Sequence, residues 1–207
     1  MTRLRDAVVA WAAGGQAAAA AGEVARRLAP EVGLRTVVLV EGISDLAAIE
    51  RLAERSGRDL DADGVCVVPL GGATSIGRFL DLLGPRGLGV RIVGLCDARE
   101  QGFFRRALDR AGLDPEGFHV CDADLEHELI RALGVAGVER VIEGQGELAT
   151  LRTFQHQPAQ RVRTPEHQLH RFLGTMSGRK ERYAGALVDA LDLDRVPKPL
   201  DDLMADL

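Results

Sequence analysis

Aromatic residues are scarce in this sequence: one Trp, one Tyr and six Phe in 207 residues, 4 % of the chain. Hydrophobic residues still make up 46 %, so a sizeable core must be built mainly from Leu, Val and Ala. Cysteine is sparse too. Cys66, Cys96 and Cys121 are odd in number and widely spaced, and each lies in a short apolar run. That excludes a disulfide framework, and no CxxC pair points to zinc. They read as small buried hydrophobes in a reduced, cytoplasmic setting. No run approaches the ~18 apolar residues that a membrane helix needs. The opening MTRLRDAVVAWAAGGQAAAA has the two Arg and small residues of a signal peptide. Asp6 interrupts its start, however, and Gly14-Gly15 breaks a weakly hydrophobic Ala stretch, so export is not expected. Global positive charge is also missing: the net charge is −5, which leaves room only for a local basic patch. The length suits one domain with an appended helical piece.

What is present is an alternation. Residues 3–28 read as helix broken near Gly14-Gly15. TVVLV (36–40) is then a continuous apolar run rich in β-branched residues, as in a strand covered on both faces. LAAIERLAERSG follows with helical spacing, placing Leu46, Ile49, Leu52 and Ala53 on one face. VCVVPL (65–70), VRIVGLC (90–96) and GFHVCD (117–122) read as three further strands, each followed by a helical pattern. Four strand–helix units at these spacings fit right-handed parallel crossovers, hence an α/β fold with a small parallel sheet. From about residue 134 only helical patterns remain. The expected organisation is an N-terminal helical segment (1–34), an α/β core (35–133) and a helical C-terminal extension (134–207). Within the extension, residues 152–182 carry seven Arg or Lys against two Glu, a local +5 that leaves −10 elsewhere.

In parallel α/β sheets, ligands bind outside the carboxyl ends of the strands. Acids fall there repeatedly: Glu41 and Asp45 after the first strand, Asp97 and Glu100 after the third, Asp122, Asp124 and Glu126 after the fourth. The second strand is followed by GGATS, whose two glycines without a Lys read as a flexible turn. Crowded carboxylates raise one another's pKa and destabilise a fold. A divalent cation such as Mg²⁺ or Mn²⁺ takes oxygen ligands and removes that penalty. Each acid also has a competing role as a helix cap, and Asp97, Asp122 and Asp124 all precede expected helices. Glu41, fused to a buried strand and followed by Gly, is a poor cap. Among the histidines, His127 lies near the acids. His167 and His170 are three apart on an expected helix, with no acid-rich partner close in sequence.

The phrases VEGISD, PLGGATS, GLCDAREQGFF, DLEHEL and GRKERYAGAL together resemble the TOPRIM half of OLD (overcoming lysogeny defect) nucleases. They are similar to compact stand-alone TOPRIM nucleotidyl transferase/hydrolase domain proteins. The resemblance spans about residues 35–190. It implies a four-stranded, largely parallel, Rossmann-like sheet flanked by helices. It also implies that Glu41 and Asp45 match the first acidic pair, Asp97 the first Asp of a DxD motif, Glu126 the later acid, and Lys180 the late lysine near the scissile phosphate. The motif departs at its second acid, since Asp97-Ala98-Arg99 places Arg where Asp is expected, and Glu100 stands one residue on as a substitute.

The activity so implied is metal-dependent phosphodiester hydrolysis of nucleic acid. Glu41, Asp45, Asp97, Glu100, Asp124 and Glu126 form the candidate ligand set for Mg²⁺ or Mn²⁺. Lys180 would stabilise charge on the phosphate, and Glu41 would serve as general base if one metal is bound. Arg161, Arg163, Arg171, Arg179 and Arg182 are the expected contacts to a nucleic-acid backbone, DNA in the first instance; the competing reading of that stretch is a solvated helix face. OLD proteins also carry an ATPase domain. No GxxxxGK[ST] occurs here, so an ATPase would be a separate partner, and self-association is compatible with the sequence. Two alternatives stay open: a nucleotidyl transferase or small-nucleotide hydrolase on the same site, and a non-catalytic module that binds nucleic acid or a protein partner.

Overall fold

The computed structural model describes residues 1–175 and 178–207. The chain begins with helices α1 (Thr2–Ala13) and α2 (Ala18–Glu31), separated at Gly14-Gly15 as the sequence predicts. Four strand–helix units follow. They are β1 (Thr36–Val40) with α3 (Ile43–Arg55), β2 (Val65–Pro69) with α4 (Ile76–Leu83), β3 (Arg91–Asp97) with α5 (Gln101–Ala111), and β4 (Phe118–Cys121) with α6 (Leu125–Gly144). The remaining chain is helical: α7 (Leu148–Gln155), α8 (Pro158–Arg161), α9 (Pro165–Leu173), α10 (Arg179–Ala190) and α11 (Lys198–Asp206). The expected fourth strand is shorter than its apolar run. Within α6 the two helices expected on either side of residue 134 are present, divided where Gly134 leaves helical geometry at φ 67° and ψ 166°, a conformation open to Gly and strained for other residues.

All strand pairs are parallel, in the order β2-β1-β3-β4. The period-two alternation of strand side chains divides the core between two faces. Val38, Val40, Val65, Val67, Val93 and Leu95 point into a cluster with α3, α6, α7, α9, α10 and α11. Val37, Leu39, Cys66, Val68 and Cys96 point into a second cluster with α1, α2, α4 and α5. Burial on both faces is why β1 is apolar throughout. The three cysteines are free and buried, and burial pushes the thiols of Cys66 and Cys96 up to about 11 and about 12. They are packing residues.

The centre of the sheet is tight. A Cβ at Gly94 would lie 2.5 Å from the Leu39 carbonyl oxygen and 2.5 Å from the Phe118 ring, so only Gly lets β1 and β4 approach β3 this closely. The C-terminal extension is tied to the sheet by polar contacts as well. Arg55 donates to the carbonyl oxygens of Val188 and Leu191 at the end of α10, Arg51 Nε pairs with Asp189 Oδ1 at 2.5 Å, and His119 Nε2 on β4 lies 2.9 Å from Asp206 Oδ2 on α11.

Because α10 supplies fully buried Tyr183, Leu187 and Val188 to the same cluster as Val38 and Val40, the extension and the sheet should unfold together. Leu187→Ala is expected to destabilise the protein by about 2–5 kcal/mol while thermal unfolding stays a single transition. A separate early transition for the extension in calorimetry would contradict the shared core.

Candidate active site

In this strand order the chain leaves β1 for β2 on one side and returns to β3 on the other. The reversal opens a crevice at the carboxyl ends of β1 and β3, the place where doubly wound sheets bind ligands. Glu41 follows β1 directly and Asp97 ends β3. The backbone N–H of Asp97 donates to Glu41 Oε1 at 3.0 Å, so the neighbouring strand orients the Glu41 carboxylate. Asp45, in the first turn of α3, accepts the Gly42 N–H through Oδ2 at 2.9 Å and caps its helix. Asp124 is the N-cap of α6: Oδ1 accepts the His127 N–H at 2.8 Å, and Oδ2 lies 2.6 Å from His170 Nε2. Glu126, in the first turn of α6, is buried, and Lys180 Nζ of α10 reaches to 3.3 Å from its Oε1. That contact is an ion pair. Glu100 sits at the N-cap position of α5 without capping it, and its carboxyl is one of the neighbours that raise Glu41.

Burial and mutual repulsion set the protonation of this group. Burial raises Asp97 to about 8, helped by the charges of Glu41, Asp124, Asp45 and Glu100. Asp45 rises to about 7 by burial, against the pull of the Gly42 N–H, with Glu126 and Glu41 adding to the rise. Glu41 is raised by burial, opposed by the Asp97 N–H and reinforced by Glu100. Asp124 goes the other way: burial would raise it, but the bonds from His170 and His127 outweigh burial and hold it low. Asp124 in turn raises His170. Burial would lower Lys180, yet Glu126 and Asp124 keep it raised and charged.

Six sequence-selected acids and Lys180 thus meet in one crevice, although residues 41 and 180 are far apart in the chain. Arg99, at the departure from the DxD pattern, is exposed, while Glu100 takes part in the cluster. Asp122, a capping candidate, is exposed and instead has its N–H held by Glu128 Oε1 at 2.9 Å. Three residues are not found by sequence reasoning. The sequence pairs His170 only with His167, and α9 carries it instead to Asp124. Glu128 is buried and accepts from Arg131 and Asp122. Glu147 pairs with Arg179 at 3.1 Å and Arg182 at 2.5 Å.

The Glu147 pairings change the reading of the basic stretch. Arg179 is buried, with its guanidinium 4.2 Å over the Phe172 ring and a bond to the Phe172 carbonyl oxygen. It packs the extension and does not reach solvent as a backbone contact would. Arg182 is half-exposed but engaged with Glu147, and Arg152 is engaged with Glu139. Arg161, Arg163 and Arg171 are exposed.

The donor set fits a hard divalent cation, being all carboxylate oxygen. Among the described residues no three His, Cys, Asp or Glu groups already close to coordination distance. However, Glu126 Oε1 and Glu100 Oε2 are buried without a hydrogen-bond donor, and the raised carboxyls gain most from a cation. The electrostatics give a sign. Between pH ~4 and the folded values near 7 and 8, folded Asp45 and Asp97 hold more protons than the unfolded chain, so stability falls as pH rises through that window. His170 acts in the same sense, since its pairing with Asp124 weakens above its raised pKa. In chelator, the thermal midpoint should drop between about pH 6 and pH 8.5. Asp97→Asn should flatten the drop, and saturating Mg²⁺ should abolish it. A midpoint that climbs over this range would contradict the assignment.

Residues 34–98 match a known family, described as overcoming lysogenization defect protein-like, TOPRIM domain. Among solved structures, the chain is similar to the C-terminal region of the Burkholderia pseudomallei OLD protein. The identity is 24 % and the TM-score 0.64, covering 84 % of this chain and 96 % of that one. It is also similar to the C-terminal region of the Xanthomonas campestris pv. campestris OLD protein, at 27 % identity and TM-score 0.64, covering 83 % and 91 %. No curated protein matches the sequence at a significant level. The chain carries a TOPRIM domain that resembles the one in OLD proteins.

Proposed function

We propose that this protein hydrolyses nucleic-acid phosphodiester bonds in a reaction that depends on Mg²⁺ or Mn²⁺. TOPRIM domains of the OLD type generally act in metal-dependent nucleic-acid cleavage or nucleotidyl transfer. The observation that carries the finer reading is the convergence of Lys180 from α10 on the acids at the β1/β3 crevice. A buried carboxylate such as Glu126 is stabilised by a cation in any case, and phosphoryl transfer uses acids and a cation together in this way.

Glu41, Asp97 and Glu100, with Asp45, Asp124 and Glu126, would hold the metal, which would supply charge neutralisation at the phosphate and a nucleophile at neutral pH. Glu41, fixed by the Asp97 N–H, is also placed to take a proton from the attacking water. Lys180 remains charged and offers its ammonium to the phosphate oxygens. His170 holds Asp124 in one orientation and so positions a ligand without touching substrate. Arg161, Arg163 and Arg171 would contact backbone phosphates, making binding salt-sensitive and indifferent to sequence. Arg99, an exposed cation where a second acid is expected, favours one competing reading, a module that binds nucleic acid without cutting it.

Plasmid, single-stranded DNA, RNA and free nucleotides incubated with Mg²⁺ or Mn²⁺ separate these readings. Polynucleotide cleavage is expected, abolished by chelator, with Glu41→Gln, Asp97→Asn and Lys180→Met each slower by about 10²–10³-fold. Turnover of free nucleotides alone would assign the transferase or small-nucleotide hydrolase. Tight binding without turnover, unchanged in Glu41→Gln, would assign the binding module.

A further inference from the structure

Helix α5 starts at the acid cluster and has an unusual outer face. Phe103, Arg106 and Arg110 recur at three and four residues, so they line one stripe. Arg99 stands at the foot of that stripe, next to Glu100. All are exposed, and among the described residues none of these three arginines forms an ion pair with a carboxylate. Arg5, Arg51, Arg58, Arg131, Arg152 and Arg182 each have an acid partner; what distinguishes the α5 arginines from other arginines without one is their place beside the acid cluster. Unpaired arginines concentrated within a few turns of a phosphodiester site form a field suited to a polyanion.

Phe103 adds a second kind of recognition. Its side chain is one of few large hydrophobics left exposed, at 46 %, in a chain with only six Phe. The Arg106 guanidinium lies 5.0 Å from the ring centroid, and the Phe103 N–H is bonded to the Glu100 carbonyl oxygen at 2.8 Å. The ring is therefore held one helical turn from the acids. Beside it, a cavity of about 270 Å³ opens between α4 and α5, lined by Thr74, Asp81, Arg86, Phe103 and Arg110, with Arg86 paired to Asp81 at 3.9 Å. Ile43, which opens α3 two residues after Glu41, is 55 % exposed. An exposed ring flanked by arginines without an acid partner, Arg110 bonding only the Arg106 carbonyl oxygen, matches the stacking platform and cationic groove that take unpaired nucleotides. A duplex offers its phosphates to such a face but keeps its base faces covered.

We propose that the α5 face is a track for a single-stranded polynucleotide, with Phe103 stacking an unpaired base and Arg99, Arg106 and Arg110 gripping the phosphates that lead to the acid cluster. This rests on the reading of the crevice as a phosphodiester site and adds the strandedness of its substrate. The shared chemistry is an unpaired base joined to a phosphodiester, so DNA and RNA strands are both candidates.

The test is fluorescence anisotropy with Mg²⁺ and cleavage-resistant phosphorothioate probes: oligothymidylate, oligouridylate and a short duplex. Phe103→Ala should weaken binding of one or both single strands about tenfold and leave duplex binding within about twofold; the strand whose affinity falls says which sugar the track takes. Arg106→Gln with Arg110→Gln should weaken all three probes and lower the single-strand salt slope by about 0.7 for each phosphate no longer gripped. These side chains are exposed, and an unchanged thermal midpoint checks that the variants fold. Wild-type affinity in both variants would overturn the track while polynucleotide cleavage by the wild type keeps the crevice reading intact. Equal weakening of duplex and single strands by Phe103→Ala would overturn the stacking role. A wild type that neither binds nor cleaves any polynucleotide would overturn both.

Discussion

The bond from the Asp97 N–H to the Glu41 carboxylate joins the two central strands at the point where the acids begin. It requires β1 and β3 to lie side by side in fixed register, which the parallel ladder from Thr36↔Arg91 to Leu39↔Gly94 provides. It also requires the close approach at Gly94, three residues before Asp97, where any Cβ would meet the Leu39 carbonyl and the Phe118 ring. Core packing and site geometry are thus one constraint. A residue chosen for tight strand spacing also sets where a carboxylate points.

The charges show what that geometry must oppose. Asp97 and Asp45 are raised by burial and by their neighbours, whereas Asp124 is held low because His170 and the His127 N–H bond it. The groups that oppose the acids, Lys180 and His170, both come from the helices after residue 134. Those helices also complete one of the two hydrophobic clusters. The extension therefore closes the core and supplies the positive charge of the crevice. The basic residues of the tail divide accordingly: Arg179 and Arg182 serve Glu147 and internal packing, while Lys180 between them turns to Glu126.

Much of this is legible in the sequence because it follows local rules. The run TVVLV announces a strand buried on both faces, and acids placed after three strands meet at one edge once the strands are parallel. What the sequence hides depends on contacts between distant segments. Only the packing of α9 on α6 delivers His170 to Asp124. Arg179 reads as a surface cation until Phe172 and Glu147 enclose it. The acids divide unevenly as caps: Asp124 and Asp45 do cap helices, while Asp97 and Asp122 do not, because Glu100 and Asp124 occupy the N-cap positions that follow them. A carboxylate can serve both roles, as Asp45 keeps one oxygen on Gly42 and leaves the other free.

The central claim is that these acids form a divalent-cation site. It is tested most directly by titrating Mn²⁺ and Mg²⁺ into the protein by calorimetry, near pH 7, in two buffers of different ionisation enthalpy. Carboxyls held protonated by burial and crowding must give up protons when a cation binds. The account therefore predicts binding with net proton release, abolished in Glu41→Ala combined with Asp97→Ala. Binding without proton release, or binding that survives the double substitution, would contradict it.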